Sequence, residues 1–261
     1  FKILIGKLFM RFHFISSENP EAKQALKKFK ERYKQSEIDV SDTIIAIGGD
    51  GMLLKALRNS LKANIPVFGL NKGNVGFLMN ELSYEDLEKR VSIANKVITH
   101  PLKMKTNNID NETVTESAVN EVSLSRQTHQ AAHLKIIIDN KERLSELVCD
   151  GILVSTPIGS TAYNLSAHGP IIPLNANILA LTPISAFRPR RWKGALLPEN
   201  VKIRIEILDF KRRTVSATAD NIEVRNIKKI EIFADKTKTL TLLHDPGHSL
   251  DERIMKEQFL T

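Results

Sequence analysis

The sequence predicts a two-domain protein, with an α/β domain built on a parallel sheet followed by a mostly antiparallel, β-sandwich-like domain. Three observations carry that expectation. Before residue 100, short apolar runs alternate with stretches of helical spacing. After Pro101 the helical spacing stops and strand-like runs follow one another. The 261 residues are also enough for one large domain or two modest ones.

Residues 11–15 read as a first strand. Residues 21–35 read as an amphipathic helix, because Ala22, Leu26, Phe29 and Tyr33 recur at helical spacing among lysines and glutamates. Residues 43–47 form a continuous apolar run, the mark of a strand buried on both faces. Gly48-Gly49-Asp50-Gly51 follows, and residues 52–61 make a helix with Leu54, Leu57 and Leu61 on one face. Residues 66–70 are another short strand. A second glycine loop occupies residues 71–78, and residues 84–95 read as a further helix.

The second domain is read from strands at 119–124, 133–138, 143–148, 152–155, 201–208, 215–219 and 229–234. Residues 201–207 alternate apolar with charged, so one face is buried. Asp139-Asn140-Lys141 is a hairpin-type turn. The expected division is 1–100 and 101–261, with the last twenty or so residues packing back on the first domain. Residues 250–259 read as a short closing helix.

Composition narrows the function classes. Hydrophobic content of 42% and charged content of 26% are ordinary for a soluble globular protein. The single cysteine, Cys149, allows no intrachain disulfide and fits a reducing, cytoplasmic setting. Residues 1–10 are apolar but too short to span a bilayer, and they lack a signal-cleavage pattern. No membrane partner is expected. The formal net charge of +8 comes mostly from scattered lysines. One basic stretch is compact: Arg188, Arg190, Arg191 and Lys193 around Pro189 and Trp192. It suits nucleic acid, the phosphates of a small ligand, or a partner subunit. No nucleic-acid-binding motif accompanies it, so nucleic acid is not expected as a partner.

Two loops carry the chemistry. Gly48-Gly49-Asp50-Gly51 ends a strand, so it places a carboxylate beside backbone bare enough for a phosphate to approach. Asp50 suits a general base for a sugar hydroxyl, a carboxylate on a phosphate-bound cation, or a helix cap. The second loop follows Asp150-Gly151 and runs Ser155-Thr156-Pro157-Ile158-Gly159-Ser160-Thr161-Ala162-Tyr163-Asn164, closing at Ser166. Its hydroxyls, amide and phenol equip it to grip a ribose and its phosphates. Asn120-Glu121 lies in an apolar strand context, where a polar pair must find partners. Asp220-Asn221 reads first as a turn. The seven histidines show no metal-ligand spacing, so no resident metal site is expected. Neither a Gly-rich phosphate loop with Lys-Ser/Thr nor a Gly-x-Gly-x-x-Gly fingerprint is present.

These residues resemble the NAD kinases of the bacterial type. The resemblance rests on Gly48 to Gly51, Asn120-Glu121, Asp150-Gly151, Ser155 to Tyr163, Gly169-Pro170-Ile171 and Leu181-Thr182-Pro183, and it covers nearly the whole chain after Met10. It implies transfer of the terminal phosphoryl group of ATP to the 2′-hydroxyl of the adenosine ribose of NAD. It implies Mg²⁺ brought with ATP, an active site in the cleft between the domains, and a homodimer or homotetramer. Asp50 would be the base. NAD would meet Asp50, Gly51, Lys55, Asn120, Glu121, Asp150, Ile158, Thr161, Ala162, Tyr163, Asn164, Ser166 and Asn221. Phosphates would meet Gly48, Gly49 and Gly51. Met52 departs from the Ser or Thr that sugar and lipid kinases place after Gly-Gly-Asp-Gly. Two further departures are Ala167-His168-Gly169 in place of a Gly-Gly pair and Asn221 in place of Gly. A lipid or sugar kinase would not be expected to carry the Ser-Thr-Pro loop. A non-catalytic nucleotide-binding protein would be expected to lack Asp50.

Overall fold

The computed structural model describes residues 10–72, 76–190 and 192–247. The expected helix at 250–259, residues 73–75 of the second glycine loop, Arg191 and the apolar residues 1–9 lie outside that range. The chain divides into two compact units, one formed by residues 1–99 with 239–261 and the other by residues 100–238.

The first unit holds strands β1 (Phe12–Ser16), β2 (Thr43–Gly48), β3 (Val67–Asn71) and β4 (Asn95–Thr99), with helices α1 (Pro20–Arg32), α2 (Asp50–Ala63) and α3 (Leu87–Ile93). A strand from far along the chain, Leu240–His244, inserts between β3 and β4. It runs parallel to β3, as β1, β2 and β3 do to one another, and antiparallel to β4. All six residues of β2 are buried, as its apolar run predicts. Alternation along β2 and β3 splits their side chains between two faces. Ile45, Ile47, Phe68 and Leu70 pack with Ala22, Ala25 and Phe29 of α1 and Leu87 and Val91 of α3. Gly69 points to the other face, where a Cβ would lie 3.0 Å from Leu53 of α2. Helices therefore cover both faces of a mostly parallel sheet.

Local chemistry fixes the helix ends. Pro20 stands in the first turn of α1, and Asn19 accepts from the Glu21 N–H at 2.8 Å. The helix stops at Arg32 rather than 35, because Tyr33 turns extended so that its ring joins Phe14, Phe29 and Phe12. The expected helix at 84–95 is only α3, seven residues long. Its tail turns into β4, where Val97, Ile98 and Thr99 favour a strand.

The second unit is antiparallel β, with only short helical turns. Its strands are β5 (Leu102–Asn108), β6 (Thr113–Ala118), β7 (Glu121–Arg126), β8 (Ala132–Ile138), β9 (Lys141–Cys149), β10 (Gly151–Ser155), β11 (Ile178–Ile184), β12 (Ala195–Pro198), β13 (Ile203–Ile207), β14 (Val215–Ala219), β15 (Ile222–Val224) and β16 (Ile227–Ala234). They form two six-stranded sheets, ordered β12-β11-β10-β7-β14-β15 and β6-β5-β16-β13-β8-β9. Apolar residues of both sheets, among them Val122, Leu124, Ile152 and Val154 against Leu134, Ile136, Ile203 and Ile205, share one core. Cys149 belongs to that core, and burial pushes its thiol up to about 12, so it packs rather than reacts. Asp139 and Asn140 both have positive φ, 49° and 61°, and give β8 and β9 their two-residue turn.

Candidate functional site

In the first unit the site begins where β2 ends. Gly48 has φ 156°, and a Cβ there would lie 2.9 Å from Met52 Cβ, so this glycine is needed for the tight strand-to-helix turn. Gly49 is the N-cap of α2 and Asp50 is its first residue, so Asp50 is not the cap. Its carboxylate instead reaches across to the second glycine loop. Oδ2 accepts from the Phe77 N–H at 3.0 Å and Oδ1 from the Leu78 N–H at 3.1 Å. Two backbone N–H groups thus fix the carboxylate in direction. Gly51 differs from Gly48. It is exposed, its φ is not positive, and a Cβ would meet no described atom within 4 Å. Nothing among the described residues explains that missing side chain. Lys55 is exposed one turn further along the same helix. The open N-terminus of α2 beside two bare residues is suited to an anionic group.

Asn80 is an unanticipated organiser of this unit. Its buried amide donates to Gly69 O at 3.0 Å and Leu243 O at 3.1 Å, and accepts from the Asp245 N–H at 2.9 Å. It ties the inserted strand to β3, the strand that leads into the loop held by Asp50.

In the second unit, β7 and β10 run antiparallel with Glu121 opposite Ser155. That register brings Asn120-Glu121 and Ser155-Thr156 to one end of the sheet. Asp220 joins them from the turn between β14 and β15. Its carboxylate accepts from the N–H groups of Val119 at 2.9 Å, Asn120 at 2.9 Å and Glu121 at 3.4 Å. A turn reading of Asp220-Asn221 is right about the backbone, where Asp220 has φ 52°. It misses the carboxylate, whose partners lie about a hundred residues earlier in the chain.

Glu121 is the electrostatic centre of this cluster. Its Oε2 is buried and has no hydrogen-bond partner among the described residues. Burial first, and then the negative charge of Asp220, push its carboxyl up to about 7. The unfolded chain releases that proton near 4.5, the ordinary value, and the native state holds it until about 7. Between those values the native state binds more protons, so stability falls as pH rises, and the loss is complete above about 7. Glu121→Gln keeps the shape without the charge. Melting curves from pH 4 to 8 are expected to show a flatter profile and a higher melting temperature at pH 8 than wild type. An unchanged profile would mean that the Glu121 carboxyl is not strained by its surroundings.

The loop after β10 sorts the remaining candidates. Residues Ile158–Thr161 form a 3₁₀ turn and Tyr163–Ser166 one helical turn. Tyr163, 40% exposed, and Ser166 face outward, while Thr161 and Ala162 are half-buried. Asn164 and Ile158 differ from these in being buried. Asn164 is 0% exposed, donating to Ser160 O at 3.2 Å and Pro170 O at 2.8 Å and accepting from Thr182 Oγ1 at 2.7 Å. Its amide makes three hydrogen bonds inside the protein and braces the loop. Ile158 is buried as well. Asn221 is exposed in the turn beyond Asp220.

Asp150 is not brought to this end. It precedes β10, whose far end carries Ser155, and five residues at about 3.3 Å each put some 16 Å between them. There it takes the Arg126 Nε–H at 2.6 Å. Phe187 and Arg188 lie at that same remote end, donating their N–H groups to Val148 O at 2.7 and 3.1 Å. Arg188 and Arg190 stack on the half-exposed Phe187 ring. Among the described residues no three His, Cys, Asp or Glu side chains come together as a metal site. No helix among them is long and apolar enough to cross a membrane.

Residues 3–102 match the ATP-NAD kinase N-terminal domain and residues 119–242 the ATP-NAD kinase C-terminal domain. An NAD kinase of Hyphomonas neptunium is 50% identical over 250 residues, spanning 96% of this chain and 98% of the relative. One of Caulobacter vibrioides is 49% identical over 249 residues, 95% of this chain and 96% of the relative. Two solved structures share the fold at low identity. Yeast NADH kinase complexed with NADH superposes with a TM-score of 0.80 at 20% identity, covering 97% of this chain and 87% of that one. An NAD kinase from Archaeoglobus fulgidus in complex with ATP gives 0.72 at 22%, covering 95% and 98%.

Proposed function

The chain belongs to the NAD kinase family, and from that membership and its own site we infer its reaction: it transfers the terminal phosphoryl group of ATP to the 2′-hydroxyl of the adenosine ribose of NAD, giving NADP. One observation carries the assignment of roles. The Asp50 carboxylate is aimed by the Phe77 and Leu78 N–H groups beside the open start of α2. Asp50 takes the proton of the 2′-hydroxyl as that oxygen attacks the terminal phosphorus. The bond to the β-phosphate oxygen breaks and ADP leaves. Such transfers need mostly positioning and charge neutralisation. The backbone at Gly48, Gly49 and Gly51 receives phosphate, with Lys55 near the same ligand. Asn120, Glu121, Thr161, Ala162, Tyr163, Ser166 and Asn221 hold NAD. Mg²⁺ brought with ATP would neutralise charge on the phosphates as the terminal group is transferred.

Asp150 and the Arg188–Arg190 segment, remote from this end of their own sheet, serve the same reaction only if a second copy presents them. A homodimer or homotetramer acting in the cytoplasm is the reading that uses them. An assay coupling NADP formation to an NADP-specific dehydrogenase, with ATP, Mg²⁺ and NAD, tests the reaction. Turnover that needs all three supports it. Turnover of a sugar or lipid acceptor with none of NAD contradicts it.

A further inference from the structure

Two residues, Thr156 and Asp220, hold the whole backbone of the polar pair, and the sequence motif accounts for neither role. On one side, Thr156 Oγ1 lies 2.7 Å from Val119 O and 3.1 Å from Asn120 O, and the Thr156 N–H donates to Asn120 O at 2.9 Å. On the other, the Asp220 carboxylate takes the three N–H groups of Val119, Asn120 and Glu121, and the Asp220 N–H donates to Glu121 O at 3.1 Å. All six backbone polar groups of residues 119–121 therefore meet one of these two residues. Thr156 Oγ1 also accepts from the Gly159 N–H at 3.1 Å, which opens the turn leading to Thr161 and Tyr163. Gly159 closes the joint, since a Cβ there would lie 2.2 Å from Asn120 O. Thr156 itself is 1% exposed, so its hydroxyl works on the protein's own groups.

We propose that Thr156 is a positioning residue for the dinucleotide acceptor. Its hydroxyl locks the Ser155–Ser166 loop to the Asn120–Glu121 pair, so that both present their contacts to NAD as one rigid surface. The proposal rests on the reading that this pair and loop hold NAD. Pre-set geometry of this kind controls the acceptor and not the donor, because none of the clamped groups belongs to the Gly48 to Gly51 turn.

Thr156→Val keeps the shape and deletes the hydroxyl, and Thr156→Ser restores it. Steady-state kinetics and calorimetric titration of NAD into wild type and both variants, with melting temperatures, read the result. Thr156→Val is expected to lose on the order of ten-fold in NAD affinity and in kcat/KM for NAD, with KM for ATP within two-fold and Thr156→Ser close to wild type. If Thr156→Val does not fold, Thr156→Cys, a far weaker hydrogen-bonding group, takes its place with the same expectation. A folded variant that binds NAD within two-fold of wild type overturns the proposal. So does an equal rise in KM for both nucleotides that tracks the melting temperature. A wild-type protein that turns over ATP but binds no NAD removes the reading of the site itself, and the proposal with it.

Discussion

Asp50→Asn is expected to lower kcat on the order of 10²-fold or more, with KM for NAD changed only a few-fold. The substitution keeps the size and removes both the base and the charge. It also has a structural consequence. The native carboxylate accepts from two N–H groups, one per oxygen. An amide has a single accepting oxygen, so its NH₂ must face either the Phe77 or the Leu78 N–H. A lost bond of that kind costs about 1–3 kcal/mol. Some fall in melting temperature is therefore expected, and kcat must be referred to folded protein. Folded Asp50→Asn with activity within a few-fold of wild type would remove the base role and leave Asp50 only its structural one.

The second large effect separates two glycines that are empty for opposite reasons. At Gly159 a Cβ would lie 2.2 to 2.6 Å from the carbonyl and Cα of Asn120. Backbone cannot swing aside as a side chain does, so Gly159→Ala should cost about 3 kcal/mol or more and displace the polar pair. At Gly51 a Cβ has open space among the described residues, inside a helix. Gly51→Ala should raise stability by about 0.5–1 kcal/mol. Because that space belongs to the nucleotide in this account, kcat/KM should still fall on the order of ten-fold or more. Thermal denaturation paired with kinetics distinguishes the two. An active, more stable Gly51→Ala would mean that no ligand approaches the start of α2.

The elements legible in the sequence were those with a local cause. The apolar run of β2 and the glycines and carboxylate after it read directly. So did the Asp139-Asn140 turn and the hydroxyl-rich loop after β10. What escaped was set by distant partners. Leu240–His244 is a short apolar run like many others, and its place between β3 and β4 depends on strands some 140 or more residues earlier. β5 alternates, with Leu102, Met104 and Thr106 inward. Its inward threonine and its lysines blur that signal. The same holds at the site. Asp220 looked like half of a turn because its carboxylate works on residues 119–121. The bonds of Asn164 to Thr182 and Pro170 were not legible either, because burial and not residue type sets those partners. Residue type indicated which chemistry is present, and register decided which groups face it.

The measurement that bears most directly on the central claim follows the phosphoryl group. The protein is incubated with ATP labelled in its terminal phosphate, Mg²⁺ and NAD, and the product is examined by phosphorus NMR and by an NADP-specific dehydrogenase. The label is expected on the 2′-oxygen of the adenosine ribose, in a product that the dehydrogenase reduces, and its appearance is expected to slow on the order of 10²-fold or more in Asp50→Asn. Label released only as inorganic phosphate, or attached at any other oxygen of NAD, would contradict the account.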